Sequence, residues 1–175
     1  ISKEIEKNPQ DATLLITRAE IMEEVGNVEN AKKEYENYLN TWPLSYSAME
    51  KIALFSSLSG QWQKAIEAYT TLIENFPGNA SILNNRSLTY QHSGELNKAL
   101  SDINDAINLD PANYSYYFQR SNIKYNLGDK AGSKNDLNNS LALLDEQRRK
   151  RKLNQKELDM LATIQKLLKD DQLGF

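Results

Sequence analysis

GELNKALSDINDAINLDP, residues 94–111, opens on a glycine and closes on a proline seventeen residues later. Gly26 with Pro43 and Gly60 with Pro77 keep the same interval. All four prolines, Pro9, Pro43, Pro77 and Pro111, stand 34 residues apart, and Gly26, Gly60, Gly94 and Gly128 share that period. A fixed period of this length marks stacked supersecondary units rather than one irregular core.

The residues between these markers say what each unit is. From Trp62 the apolar and small residues run Ala65, Ile66, Tyr69, Leu72 and Ile73; from Leu96 they run Ala99, Leu100, Ile103, Ala106 and Ile107. Steps of three and four place each set on one helical face. Upstream of the glycines, Leu15, Ala19 and Met22, then Met49, Ala53 and Ser56, then Leu83, Ser87 and Tyr90 form a second stripe. Each unit is therefore predicted to be two amphipathic helices. Glycine tolerates the positive backbone angle that ends the first helix, and proline stops the second. Small residues at 31, 65, 99 and 133 fall where the helices must approach closely.

These residues carry a resemblance. Ala19, Ala53, Ser87 and Ser121, then the glycines, then Tyr35, Tyr69, Ile103 and Leu137, then the prolines, are similar to the tetratricopeptide repeat, and AINLDP at 106–111 resembles its helix ending. The resemblance implies an all-α fold, an α-α superhelix: a right-handed solenoid of four helical hairpins with a C-terminal capping helix. The expected layout is one solenoid domain over 1–175, with a partial leading unit at 1–11 and repeats at 12–45, 46–79, 80–113 and 114–147. The fourth repeat is expected to be irregular, and 148–175 to form a basic extension and capping helix. The pentatricopeptide RNA-binding repeat is the nearest alternative, but its period is usually one residue longer.

The ends depart from the pattern. Asp145 stands where a proline would, so the preceding helix can run on into EQRRKRK, residues 146–152. Cations there suit the negative end of a helix dipole; a targeting or polyanion-binding role is the competing reading. Gly132 falls inside the second helix of the fourth unit, where glycine costs about 1 kcal/mol relative to alanine. Asn154 and Glu157 have capping-box spacing, ahead of an apolar face of Leu158, Leu161, Ala162, Ile164, Leu167 and Leu168. At the other end, Ile1 and Ile5 are expected to pack on the first full repeat. An exposed apolar face there leaves open a homodimer through the N-terminal end.

The inventory argues against an enzyme. There is no cysteine, and His92 is the only histidine, so neither thiolate chemistry nor a histidine metal cluster is available. The glycines are dispersed rather than gathered into a phosphate loop, so no cofactor is expected. Asp102 with Asp105, and Glu23 with Glu24, read as solvated helix faces. A net charge of -3 gives no general attraction to nucleic acid, and no apolar run reaches the length of a membrane span. The expectation is a soluble protein, cytoplasmic or exported after removal of an N-terminal segment.

What remains is binding. The resemblance implies that the first helix of each unit lines a concave surface, which here offers Glu50, Leu54, Asn84, Leu88, Gln91, His92, Phe118, Asn122, Tyr125 and Asn126. Amides can pair with an extended peptide backbone, while leucine and aromatic residues make pockets. The expected partner is therefore a peptide or helix of another protein. The alternative is a regulatory or substrate-docking module of a larger enzyme or membrane-anchored protein. The basic clamp by which some family members grip acidic chaperone tails is not matched, since the corresponding positions read Glu50, Leu54, Asn85, Ser115 and Gln119. Charge is polarised: residues 1–60 hold 6 basic and 10 acidic side chains, and 146–175 hold 8 and 5.

Overall fold

The computed structural model describes residues 11–169, which form nine helices and no strand. In order these are α1 (Ala12–Glu24), α2 (Val28–Thr41), α3 (Tyr46–Leu58), α4 (Trp62–Asn75), α5 (Ala80–His92), α6 (Leu96–Leu109), α7 (Tyr114–Asn126), α8 (Lys130–Lys150) and α9 (Gln155–Lys169). Consecutive pairs pack as hairpins, α1 on α2, α3 on α4, α5 on α6 and α7 on α8, and α9 packs on α8. The chain divides into two compact units, one ending at Gly78 and one beginning at Asn79. The leading segment with Ile1, Ile5 and Pro9, and with it the N-terminal dimer face, lies outside the described residues.

The turn inside each hairpin has one construction. At the end of α1, the Gly26 N–H donates to the Glu23 carbonyl at 2.9 Å and the Asn27 N–H to the Met22 carbonyl at 2.8 Å. This is the Schellman pattern, which satisfies carbonyls the helix leaves open. It needs a left-handed residue at its centre, and Gly26 has φ +77°. The same pair of bonds closes α3 at Gly60, α5 at Gly94 and α7 at Gly128. The period of the glycines is the period of this motif.

Between hairpins the proline acts through its neighbour. Trp42, Phe76 and Asp110, the residues before Pro43, Pro77 and Pro111, leave the helical region with φ of -126°, -132° and -139°. That is the steric consequence of a following proline ring. Two residues after each proline, at positions 45, 79 and 113, comes the cap of the next helix. The Asn79 side chain accepts from the Ser81 and Ile82 N–H groups, and Asn113 accepts from Ser115. Asp11 caps α1 in the same way. Capping is the use for which short polar side chains are suited.

The small residues lie at the close approaches. Ala19, Ala31, Ala53, Ala65, Ser87, Ala99, Ser121 and Ser133 are all buried. Ser87 is compensated by donating its hydroxyl to the Ala99 carbonyl across the hairpin at 2.8 Å. In the first unit Ala19, Ala31, Tyr35, Ala48 and Phe55 form one core. In the second, Leu137, Leu144, Leu153, Leu161 and Ile164 form a core at its C-terminal end.

Two sequence expectations change. Gly132 is in the first turn of α8, where its N–H donates to the Asp129 cap at 2.8 Å; a Cβ there would fall 2.0 Å from that carboxylate. Its cost is thus tied to capping, not to a helix interior. Asp102 is not on a solvated face: it is 5% exposed and held by Arg86. Asp105 remains exposed.

Candidate functional site

The first-helix face of the second unit is built from α5 and α7. Asn84, Leu88, Gln91 and His92 are spaced to share one face of α5, and Phe118, Asn122, Tyr125 and Asn126 repeat that spacing on α7. The two helices are joined here by a side-chain amide pair, Gln119 Nε2 donating to Gln91 Oε1 at 2.6 Å. Asn84, Leu88, Gln91, Phe118 and Asn122 are half-buried, whereas His92, Tyr125 and Asn126 are exposed. Phe118 packs against the C-terminal core with Tyr114, so part of its surface serves the fold. In the first unit, Glu50 and Leu54 are half-buried on α3, and Glu50 accepts from the Tyr46 hydroxyl at 3.1 Å.

Gln119 belongs to this face but is absent from the residues the sequence pattern selects. Its signal was the 34-residue register: it stands one repeat after Asn85, another of the first-helix positions compared with the basic clamp.

Beneath the first-helix faces runs a set of ion pairs. Arg18 pairs with Glu34, Arg86 with Asp102 and Arg120 with Asp136, each across one hairpin at a separation of 16 residues. The Arg86 pair is two-pronged, Nε to Oδ2 at 2.7 Å and Nη2 to Oδ1 at 2.8 Å. Arg120 does the same with Asp136 and also donates to Asn104 Oδ1 at 2.8 Å. Lys124 adds a second cation to Asp136 at 2.8 Å. The paired carboxylate holds the Arg86 and Arg120 guanidiniums above their ordinary pKa, the hydrogen bond being the main cause. The second hairpin has Ile52 and Ala68 at these positions. The pairs therefore fix hairpin geometry and position the faces rather than act on a ligand.

At the C-terminal end the capping box is reciprocal. The Asn154 N–H donates to Glu157 Oε2 at 2.9 Å, and the Glu157 N–H donates to Asn154 Oδ1 at 3.0 Å. Arg151 clamps the same carboxylate, Nη2 to Oε1 at 2.5 Å and Nη1 to Oε2 at 2.9 Å. Arg151 first, and then the Asn154 backbone, push the Glu157 pKa down to about 2. In the basic run, Arg148 pairs with Asp145 at 3.1 Å and Lys150 with Glu146 at 2.6 Å. Three of its five cations are thus engaged within the fold.

Among the described residues no group of three or more His, Cys, Asp or Glu side chains could hold a metal ion. No helix among them is long and apolar enough to cross a membrane.

Two models of the tetratricopeptide repeat match the chain, over residues 47–79 and 80–113. Residues 47–113 of the chain are tetratricopeptide repeats. The solved structures similar to this chain include a crystal structure of MamA, 17% identical, covering 86% of this chain and 87% of that one with a TM-score of 0.79. MamA (41-end) from Desulfovibrio magneticus RS-1 is 16% identical over 82% of this chain and 81% of its own, with a TM-score of 0.78. TTC0263, a thermophilic TPR protein of Thermus thermophilus, is 20% identical over 93% of this chain and 85% of its own, with a TM-score of 0.68. At these identities the likeness is one of fold: an all-α solenoid of helical hairpins. No curated protein matches the sequence significantly. The tetratricopeptide repeat assigns the chain the general role of a protein-interaction scaffold.

Proposed function

We propose that this scaffold captures a peptide or helix of a partner protein on the first-helix faces, and that the chain performs no bond-making chemistry itself. The observation that carries the proposal is the Gln119 to Gln91 bridge between α5 and α7. Gln119 is itself buried and anchors the pair, while half-buried Gln91 keeps its NH2 donors after that bond. The half-buried amides of Asn84, Gln91 and Asn122 suit the alternating N–H and C=O of an extended backbone, while Leu88 supplies apolar contact. The bridge fixes two side chains before any partner arrives, which lowers the ordering cost of binding.

The test is crosslinking and mass spectrometry in native cell extract, comparing the unaltered protein with an Asn84→Ala/Gln91→Ala/Asn122→Ala variant. Phe118 is left unchanged because it also packs in the core. Loss of partners from a variant with normal helical content supports the assignment. Equal retention by that folded variant removes it.

A further inference from the structure

The first-helix face of the first unit has a different chemistry. On α1 it carries Ile16, Glu20 and Glu24 in steps of four, and on α3 Glu50, Leu54 and Leu58 in the same steps. Glu23 and Lys51 bridge the two helices at 2.7 Å. Leu58 is 75% exposed and, at the end of α1, Val25 is 74% exposed, so this face keeps large apolar surface in contact with solvent. Its rim is acidic: among the described residues no cation pairs with Glu20, Glu24 or Glu50.

The helix dipoles reinforce that sign. Neither α1 nor α3 has a basic residue in its last turn, and α1 ends on Glu23 and Glu24. Carboxylates at the negative end of a helix are unfavourable unless a cation offsets them. In the second unit the last turns of α5 and α7 carry His92 and Lys124. Buried Tyr35 has its pKa raised by burial and then by Glu23 and Glu20, and Tyr69 by burial and then by Glu50.

We propose that the α1–α3 face docks a cationic amphipathic segment of a partner protein. Its lysines or arginines would lie over Glu20, Glu24 and Glu50, and its apolar side chains over Leu54 and Leu58. The proposal rests on the reading that first-helix faces bind, and it names the partner chemistry for one of them. Exposed apolar surface rimmed by one sign of charge selects a partner of the opposite sign, with charge mainly steering association.

The probe is a 14-residue amidated peptide with lysine and leucine at helical spacing, titrated against the full chain by fluorescence anisotropy at low and moderate salt. A peptide with glutamate for lysine is the control. The expected result is binding of the lysine peptide alone, weakened by salt and weakened about tenfold by Glu20→Gln/Glu24→Gln/Glu50→Gln. Leu58→Ser weakens it as well, and Ser101→Ala, at an exposed position on the second helix α6, leaves it unchanged. All variants are checked for unaltered helical content and thermal transition. Absent binding, or binding indifferent to the glutamate and Leu58 variants, overturns the proposal. So does sedimentation showing self-association that these variants and Arg149→Glu/Lys152→Glu both release, because the occupant is then a second copy of the chain. If only the peptide experiments fail, the second-unit reading stands on its own crosslinking test.

Discussion

Asp136→Ala removes the centre of a buried cluster of three charges. Asp136 is fully buried, Arg120 is 18% exposed and Lys124 is 20% exposed. The carboxylate takes two bonds from Arg120 and one from Lys124, all between 2.7 and 2.8 Å. Taking it away leaves two mostly buried cations facing each other with only Asn104 as an acceptor for Arg120. Breaking one side of a buried pair costs about 3–5 kcal/mol. At about 2–4 °C per kcal/mol for a chain of this size, the melting temperature should fall by roughly 6–20 °C. Urea unfolding followed by far-ultraviolet circular dichroism measures the loss, with the slope checked for an unchanged transition. The second hairpin supplies an internal control, since it has Ile52, Ser56 and Ala68 where the fourth has Arg120, Lys124 and Asp136. Arg120→Ile/Lys124→Ser/Asp136→Ala transplants that apolar solution and should cost less than Asp136→Ala alone. A single variant losing under about 1 kcal/mol, or a triple variant worse than the single, would refute the assignment of these pairs as buried and mutually compensating.

The remaining expectations use the same measurements. Gly94 has φ +85° with nothing within 4 Å of a Cβ built there, so Gly94→Ala should cost about 1–2 kcal/mol of backbone strain alone. Gly132→Ala should be near neutral in urea titration, because a gain of about 1 kcal/mol in helix propensity opposes loss of the Asp129 cap, worth about the same. Ala99 is fully buried against the neighbouring helix, and Ala99→Leu should cost about 1–3 kcal/mol by overpacking. Glu157 has a folded pKa near 2 against about 4.3 when unfolded. Its contribution is complete above the unfolded value and is lost as pH falls toward 2. Amide protection in α9, taken relative to the intrinsic exchange rate at each pH, should therefore fall across that window, and Glu157→Gln should flatten this response.

The hairpins were legible because each marker acts within a few residues. The glycines close Schellman turns, the prolines redirect the residue before them, and the caps at 11, 45, 79 and 113 keep the same period. The Arg–Asp pairs were harder to see because their partners lie 16 residues apart on different helices, where no single-helix periodicity links them. Aligning Arg18, Ile52, Arg86 and Arg120 above Glu34, Ala68, Asp102 and Asp136 exposes the pattern afterwards. The first-helix residues could be placed on a face by spacing, but their surroundings could not. Phe118 is drawn into the core that α9 completes, and α9 lies beyond the periodic part of the chain.

A benzophenone side chain at Tyr125, compared with one at Ser101, tests partner capture by the first-helix faces most directly. Tyr125 is an exposed aromatic on α7, and Ser101 is exposed on the second helix α6. Irradiation in native extract should give a discrete crosslinked partner from position 125 and none from 101. Crosslinks from 101 alone, or the same products from both, would contradict binding on the first-helix face.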